Sequence, residues 1–275
     1  MIVRPLLTWL NRHSERRSAI AHWILVDEEM SMSSIMTDFT GIFPYLAGTK
    51  FNENMAVTYN GRMDVRYRSD VLIDMCRGKR VLHVGCCDHV PLIKKKIDHR
   101  DWLHGLITEC SEYTVGVDID ADAVREASRI SGLDNMVSGD VTSAQKIERI
   151  AGRKFDIALF GEVVEHIPNP VSFLGRFREN YGDVVEKIVI TVPNAFRGGN
   201  IKGILNNTET INSDHRFFFT PYTIAKVALD AGFSPEEIQM ATFKRAGMMK
   251  TMLLRRLPLL AEDIIFTGSV APGRA

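Results

Sequence analysis

The chain is poor in cysteine and has no excess charge of either sign. Its four cysteines, Cys76, Cys86, Cys87 and Cys110, show no CxxC spacing, and two are adjacent. That pattern suits neither a structural zinc site nor a simple disulfide framework. It predicts reduced thiols in a cytoplasmic protein. Lys+Arg and Asp+Glu each number 34, so the formal net charge is zero. A neutral chain has no global field with which to attract nucleic acid or an anionic surface. Two local basic runs, Lys94 to Lys96 and Lys244, Arg245, Lys250, Arg255 and Arg256, read as solvated surface. No apolar run approaches the ~18–20 residues of a transmembrane helix. Repeats and low-complexity tracts are also missing.

What is present is a chain of 275 residues, 45% of them hydrophobic, enough for one large core or two modest ones. Residues 1–62 read as an N-terminal extension with helical pieces at about 5–30 and a Gly, Asn and Thr-containing loop at about 47–62. Arg4, Arg12, Arg16 and Arg17 there face a single early acid, Glu15. Without a clean apolar core and a small-residue cleavage site, the segment does not read as a secretory signal. It reads as an arm that packs on the body or on a partner subunit, and so as a route to a homo-oligomer.

From residue 63 to about 270 strands and helices alternate, with a short tail at 271–275. Strands are predicted at 80–84 (RVLHV), 114–118 (TVGVD), 135–137, 156–160, 187–192 (KIVITV), 237–243 and 263–268. Helices are predicted at 65–76, 92–109, 121–130, 145–150, 169–179 and from Thr220-Pro221 to near Gly232. Asn169-Pro170 and Thr220-Pro221 are N-cap and first-turn signals. Apolar strands alternating with helices imply an α/β doubly wound, mostly parallel sheet. Residues 193–220 have no strong period and form a long insertion of the kind that often carries function.

In such sheets ligands bind beyond the carboxyl ends of the strands. Gly85, Asp118, Asp140 and the pair Gly161-Glu162 fall there in succession. A glycine at the first strand end admits close backbone approach. An acid at the second can hold ribose hydroxyls. A dinucleotide reading needs G-x-G-x-x-G after the first strand, and this chain has one glycine. Gly85 to Asp118 is also longer than the roughly 20 residues such a reading expects.

The series VLHVG (81–85), VGVDID (115–120), SGD (138–140), FDIALFGEVVEHI (155–167) and ITVPN (190–194) resembles the class I S-adenosylmethionine-dependent methyltransferases. The resemblance covers about residues 65–270. It implies a Rossmann-like sheet of seven strands and S-adenosylmethionine as cofactor. It places Gly85, with Cys86 in the same turn, against the methionine part. It puts Asp118 on the ribose with Ile119 beside the adenine, Asp140 on the adenine amino group with Val141 beside the ring, and Gly161 and Glu162 near the sulfonium. The chain departs from the family pattern at His83, where an acid is usual, and at Cys87 and His89, where glycines are usual. Polysaccharide-pathway methyltransferases show a similarly reduced loop.

Glu162, Glu165 and His166 share a face if the segment turns helical, and His215 lies in the later loop SDHRFFFT. His166 or His215 is the candidate general base, with Glu165 beside it. The E-x-x-E-H cluster also resembles that of the small-RNA 2′-O-methyltransferases, in which two Glu and two His bind a divalent metal. Here those positions are Glu162, Glu165, His166 and His215, a set suited to Mg²⁺ or Mn²⁺. The ubiquinone-pathway O-methyltransferases share the cluster, and sugar methyltransferases share the DHR segment. The resemblance therefore implies O-methylation of a sugar, a polysaccharide intermediate or another small metabolite. The alternatives are metal-assisted RNA 2′-O-methylation, disfavoured by the neutral charge, and a non-catalytic cofactor-binding partner subunit.

Overall fold

The computed structural model describes residues 34–59 and 63–270. The predicted helical pieces at 5–30 and the tail at 271–275 lie outside these residues. Among the described residues eight strands form one sheet: β1 (Ser34–Met36), β2 (Arg80–Val84), β3 (Tyr113–Asp118), β4 (Met136–Ser138), β5 (Phe155–Gly161), β6 (Val185–Pro193), β7 (Phe233–Ala241) and β8 (Asp263–Val270). Their order is β1-β7-β8-β6-β5-β2-β3-β4. The five strands from β4 to β6 run parallel. β8 is antiparallel to β6 and β7, and β1 is antiparallel to β7. The sheet thus has eight strands rather than seven. The extra one is β1, a three-residue edge strand too short to leave a period in the sequence.

Among the described residues nine helices flank the sheet: α1 (Phe43–Leu46), α2 (Arg68–Cys76), α3 (Val90–Asp98), α4 (Leu103–Cys110), α5 (Ala121–Ser131), α6 (Pro170–Tyr181), α7 (Gly198–Leu205), α8 (Pro221–Asp230) and α9 (Met248–Arg256). Several starts are written locally. Asn169 Oδ1 accepts the Ser172 amide at 3.0 Å ahead of Pro170, and Thr220 and Thr223 form a reciprocal capping box. The single helix predicted over 92–109 is two, α3 and α4, with Arg100 at φ +52° between them. Residues 145–150 are turns rather than a helix. No helix among the described residues is long and apolar enough to cross a membrane.

Both faces of the central strands are buried. Leu82, Phe160, Phe177, Ile188, Ile190 and Phe266 belong to the main cluster on one side, and Val81, Leu159, Val189 and Ile265 to a second on the other. Chain order reverses between β2 and β5. That switch point opens a cleft above the strand ends.

A buried polar stack supports the cleft from below. The rings of His83 in β2 and His104 in α4 are 5.4 Å apart, with their Nδ1 atoms 3.2 Å from one another. Only one proton fits between two such nitrogens. Asn135 assigns it: its Nδ2 donates to the Thr114 carbonyl at 3.2 Å, so its Oδ1 takes the His104 Nε2 proton at 3.2 Å. His104 Nδ1 is then bare, and His83 Nδ1 donates to it. Gly116 makes room for the pair, since a Cβ there would stand 2.6 Å from His104 Cε1 and 2.8 Å from Cys86 Sγ.

Burial pushes His104 from 6.5 down to about 4 and pushes His83 well below its usual value, with His104 adding to the effect. Both folded values are depressed, so these rings take up protons on unfolding before they do so in the fold. Stability is then full above the unfolded value near 6.5 and falls as pH drops toward 4. His104 is expected to cost roughly 2 kcal/mol between pH 7 and pH 5, and His83 adds to the loss in the same direction. In denaturant titrations across that range, His104→Gln should flatten the pH slope by about one proton. Equal slopes for variant and wild type would contradict the neutral stack.

Candidate active site

The cleft has a volume of about 930 Å³. Gly85, Cys86, Asp118, Ile119, Asp140, Val141, Gly161 and Glu162 all line it, together with His166 and His215. They come from the ends of β2, β3, β4 and β5 and from the insertion after β6. Gly85 has φ +70°, and a Cβ on it would meet Val163 Cγ2 at 2.4 Å, so only glycine fits this turn. Asp118 follows the second parallel strand. Its carboxylate accepts the Cys87 amide at 2.9 Å and the Asp120 amide at 3.1 Å, which orients it across the turn. Burial raises its pKa against the pull of those amides. Asp140 is oriented by Thr142, whose amide donates at 2.8 Å and hydroxyl at 2.7 Å.

Ile119 is 77% exposed beside Asp118, an apolar wall that the described residues leave uncovered. A flat base laid on it would bury that surface. Cys86 is buried, and its thiol pKa is raised by its contact with Cys87 and by burial. That is the opposite of a reactive thiolate. Trp102 Nε1 donates to the Cys86 carbonyl at 3.2 Å and holds the reduced loop in place.

At the β5 end the backbone turns sharply. Glu162 has φ +57°, a left-handed conformation uncommon for a residue with a side chain. Thr191 of β6 stabilises it. The Glu162 amide donates to Thr191 Oγ1 at 3.1 Å, and that hydroxyl donates to Glu162 Oε1 at 3.0 Å. Arg68, the first residue of α2, ion-pairs with the same Oε1 at 3.0 Å and lies 3.5 Å from Asp263 Oδ2. Its guanidinium lies 5.2 Å from the centre of the Phe243 ring.

The predicted four-residue cluster divides. Glu165, His166 and His215 converge, and their ligating atoms all lie within 4.8 Å of one another. Glu162 is outside that group and turned to Arg68 and Thr191. Nε2 of each histidine is 3.9 Å from Glu165 Oε1, and the two rings meet edge-on at 4.6 Å. His166 Nδ1 faces the Asp214 carbonyl at 3.2 Å, an acceptor only, so Nδ1 carries the proton and a neutral ring points bare Nε2 toward Glu165. The Arg216 amide donates to the Glu165 carbonyl at 2.8 Å and closes the insertion over the cluster.

Glu165 is fully buried, and neither carboxyl oxygen has a hydrogen-bond partner. Burial, then the charge of Glu162, pushes its pKa up to about 9. It is therefore a carboxylic acid at neutral pH. His215 is held below the usual imidazole range by burial and by His166, so it is neutral there. Separations of 3.9 Å are long for hydrogen bonds but fit groups that share an ion. Two ligands each ~2.1 Å from one ion stand roughly 3.4 Å apart at a tetrahedral angle. Closing these separations by roughly half an ångström would let Glu165 and the two Nε2 atoms hold a divalent cation as a three-ligand set.

Arg68, Asp263 and Thr191 are the residues that the sequence reading missed. Asp263 carried a faint signal, an acid opening the apolar strand DIIF. It is fully buried, and burial together with Glu162 raises its pKa well above the carboxylate range. One guanidinium therefore stands between Glu162 and the protonated Asp263. Breaking a buried pair from one side is costly. Arg68→Met is expected to lower unfolding free energy by about 3–5 kcal/mol, whereas Asp263→Asn, which keeps a neutral group, should cost under about 1 kcal/mol. Denaturant curves that rank the two variants the other way would refute this charge assignment.

Comparison with known proteins follows the same residues. A methyltransferase-domain family model matches residues 68–238, more than half of the chain. The solved small RNA methyltransferase HEN1 is similar in fold, with a TM-score of 0.51 at 14% identity, over 82% of this chain and 27% of that one. The chain thus spans about a quarter of that protein. Magnesium protoporphyrin IX methyltransferase from Synechocystis PCC 6803, solved with bound SAH, aligns at 14% identity and TM-score 0.47, over 74% of this chain and 82% of that one. A TehB-like SAM-dependent methyltransferase from Corynebacterium glutamicum ATCC 13032 aligns at 14% and 0.43, over 84% and 96%. No curated protein matches. The family match contains the strand ends from β2 to β6 that build the cleft, and with it the chain belongs to the methyltransferase-domain family, as a class I S-adenosylmethionine-dependent methyltransferase.

Proposed function

We infer that the cleft transfers a methyl group from S-adenosylmethionine to a hydroxyl of a sugar, a polysaccharide intermediate or another small hydroxylated metabolite. The observation that carries this reading is the Glu165, His166 and His215 cluster beside the Gly161-Glu162 turn. Asp118 would take the ribose hydroxyls, and Asp140 the adenine amino group, with the base between Ile119 and Val141. Gly85 and the Cys86 backbone would receive the amino-acid end. Glu162 would face the sulfonium at the Gly161 turn.

Methyl transfer is an in-line displacement in which the cofactor carries the activated group and the protein positions the acceptor. The acceptor oxygen forms a bond to the methyl carbon as the carbon–sulfur bond breaks. The hydroxyl proton must go to a base. Neutral His215 is suited to that role, because it is unprotonated near neutral pH and stands at the cleft wall. Glu165, as an acid, is not a base there. The lining also speaks to the acceptor. It holds seven acids, Asp88, Asp101, Asp118, Asp120, Asp140, Glu162 and Asp214, against three cations, Arg68, Lys96 and Arg216. An acid-rich cleft suits a neutral polyol better than a phosphate chain.

A second reading, metal-assisted transfer, is favoured by the orphaned Glu165 oxygens. Glu165, His166 and His215 would hold the ion, with Glu165 losing its proton. A divalent cation bound there would lower the pKa of an acceptor hydroxyl. His166 would be oriented for this by Asp214, and the acceptor would enter from the insertion side.

Two titrations test these readings. Calorimetry with S-adenosylhomocysteine should show binding to the wild type and a loss of about tenfold or more in Asp118→Ala, the worth of a lost charged hydrogen bond. Equal affinities would remove Asp118 from the site. Titration with Mn²⁺ distinguishes the mechanisms. One ion per chain, lost in both Glu165→Ala and His215→Ala, supports the metal. No Mn²⁺ binding by the wild type leaves His215 as the base.

A further inference from the structure

The segment between β7 and β8 contains α9, and its polarity is inverted. A surface helix normally turns its apolar stripe inward. In α9 only Leu254 is buried. Met248 is 80% exposed, Met249 84%, Met252 62% and Leu253 50%, and Leu257 just beyond is also exposed. Positions 248, 249, 252 and 253 are related by three- and four-residue steps, so they form one outward apolar face.

The same segment is strongly cationic. Residues 244–261 contain Lys244, Arg245, Lys250, Arg255 and Arg256 and no acid, in a chain whose net charge is zero. Lys250 is paired with Glu262 at 2.5 Å, and the exposed Arg245 with Asp70 at 3.3 Å. Lys244, Arg255 and Arg256 have no carboxylate within ion-pair distance among the described residues. The solvated surface expected from this basic run thus includes large methionine and leucine side chains left in water.

A second apolar surface lies on the same edge of the sheet. α7 has no buried residue, and Ile201, Ile204 and Leu205 on it are exposed, with Arg197 and Lys202 as its charged residues. Asn194, just before it, donates to the Leu259 and Ala261 carbonyls at 2.7 Å, which ties the start of the insertion to the segment after α9. Asp263 pairs with Pro193, so both helices stand at the end of the sheet where the cleft opens.

We propose that α9, with α7 beside the same edge, docks the protein on an anionic lipid bilayer surface. A helix with exposed apolar residues rimmed by lysine and arginine lies in the headgroup plane and buries its apolar side at the acyl boundary. Juxtamembrane cations then gain from the anionic lipids. Two other occupants fit less well. A second copy across a two-fold axis would set these cations against their own counterparts. Nucleic acid would satisfy the cations and leave the methionine face wet.

The test is co-sedimentation of the full chain with vesicles of phosphatidylcholine alone and of phosphatidylcholine mixed with phosphatidylglycerol. Partitioning to the mixed vesicles should be stronger by roughly tenfold or more and should weaken with added salt. Met249→Glu/Met252→Glu should lose binding to both compositions. Arg255→Glu/Arg256→Glu should lose the preference for the anionic one. All four side chains are exposed, so thermal melts should match the wild type. Partitioning unchanged by either pair of substitutions, or absent in the wild type, would overturn the proposal. So would a dimer in light scattering, or binding of an RNA oligonucleotide, that the Met249→Glu/Met252→Glu variant abolishes.

Discussion

One buried guanidinium sets the electrostatics of the cleft. Arg68 reaches from the start of α2 to Glu162 after β5 and to Asp263 at the start of β8. Burial opposes its charge, and Glu162 beside it offsets that cost. A buried charge needs a partner, and a single cation can compensate a single anion. Glu162 takes the shorter contact with it, at 3.0 Å, and is also hydrogen-bonded by Thr191. Asp263 and Glu165 are left as acids. The consequence is a defined order along the wall: Glu162 beside the Gly161 turn, then a neutral carboxyl, then two imidazoles.

The fold brings these groups together because of the strand order. Parallel strands place all their carboxyl ends on one edge, and the reversal between β2 and β5 parts the connections above them. Gly85 then lets the first turn pass close to Val163, while the His83, His104 and Asn135 chain stiffens the floor with every shared proton assigned. His83 stands where the family pattern has an acid. Here it is a neutral ring locked to α4, so the departure changes the charge beneath the cleft without opening a hole in it.

Much of this was legible in the chain. The central strands announce themselves as short apolar runs because both of their faces are buried, and Gly85, Asp118, Asp140 and Glu162 are legible as the residues that follow them. Asn169-Pro170 and Thr220-Pro221 marked their helices by local hydrogen bonding alone. Other features depend on contacts distant in sequence. β1 exists by pairing with β7, the break at Arg100 is a turn between two packed helices, and the contact of Arg68 with Asp263 joins a helix start to a strand start far along the chain. α9 escaped notice for a different reason. Its apolar residues have the helical period, but they face outward, so they look like core in the sequence and are surface in the fold.

The central claim is that the cofactor lies along the strand ends with its reactive sulfur toward the Glu165, His166 and His215 cluster. A crystal structure with S-adenosylhomocysteine bound tests this most directly. The account predicts ribose hydroxyls on Asp118, adenine against Ile119 with its amino group toward Asp140, and sulfur beside Gly161 with its open side facing His215. A ligand whose sulfur pointed away from that cluster, or which left Asp118 untouched, would contradict it.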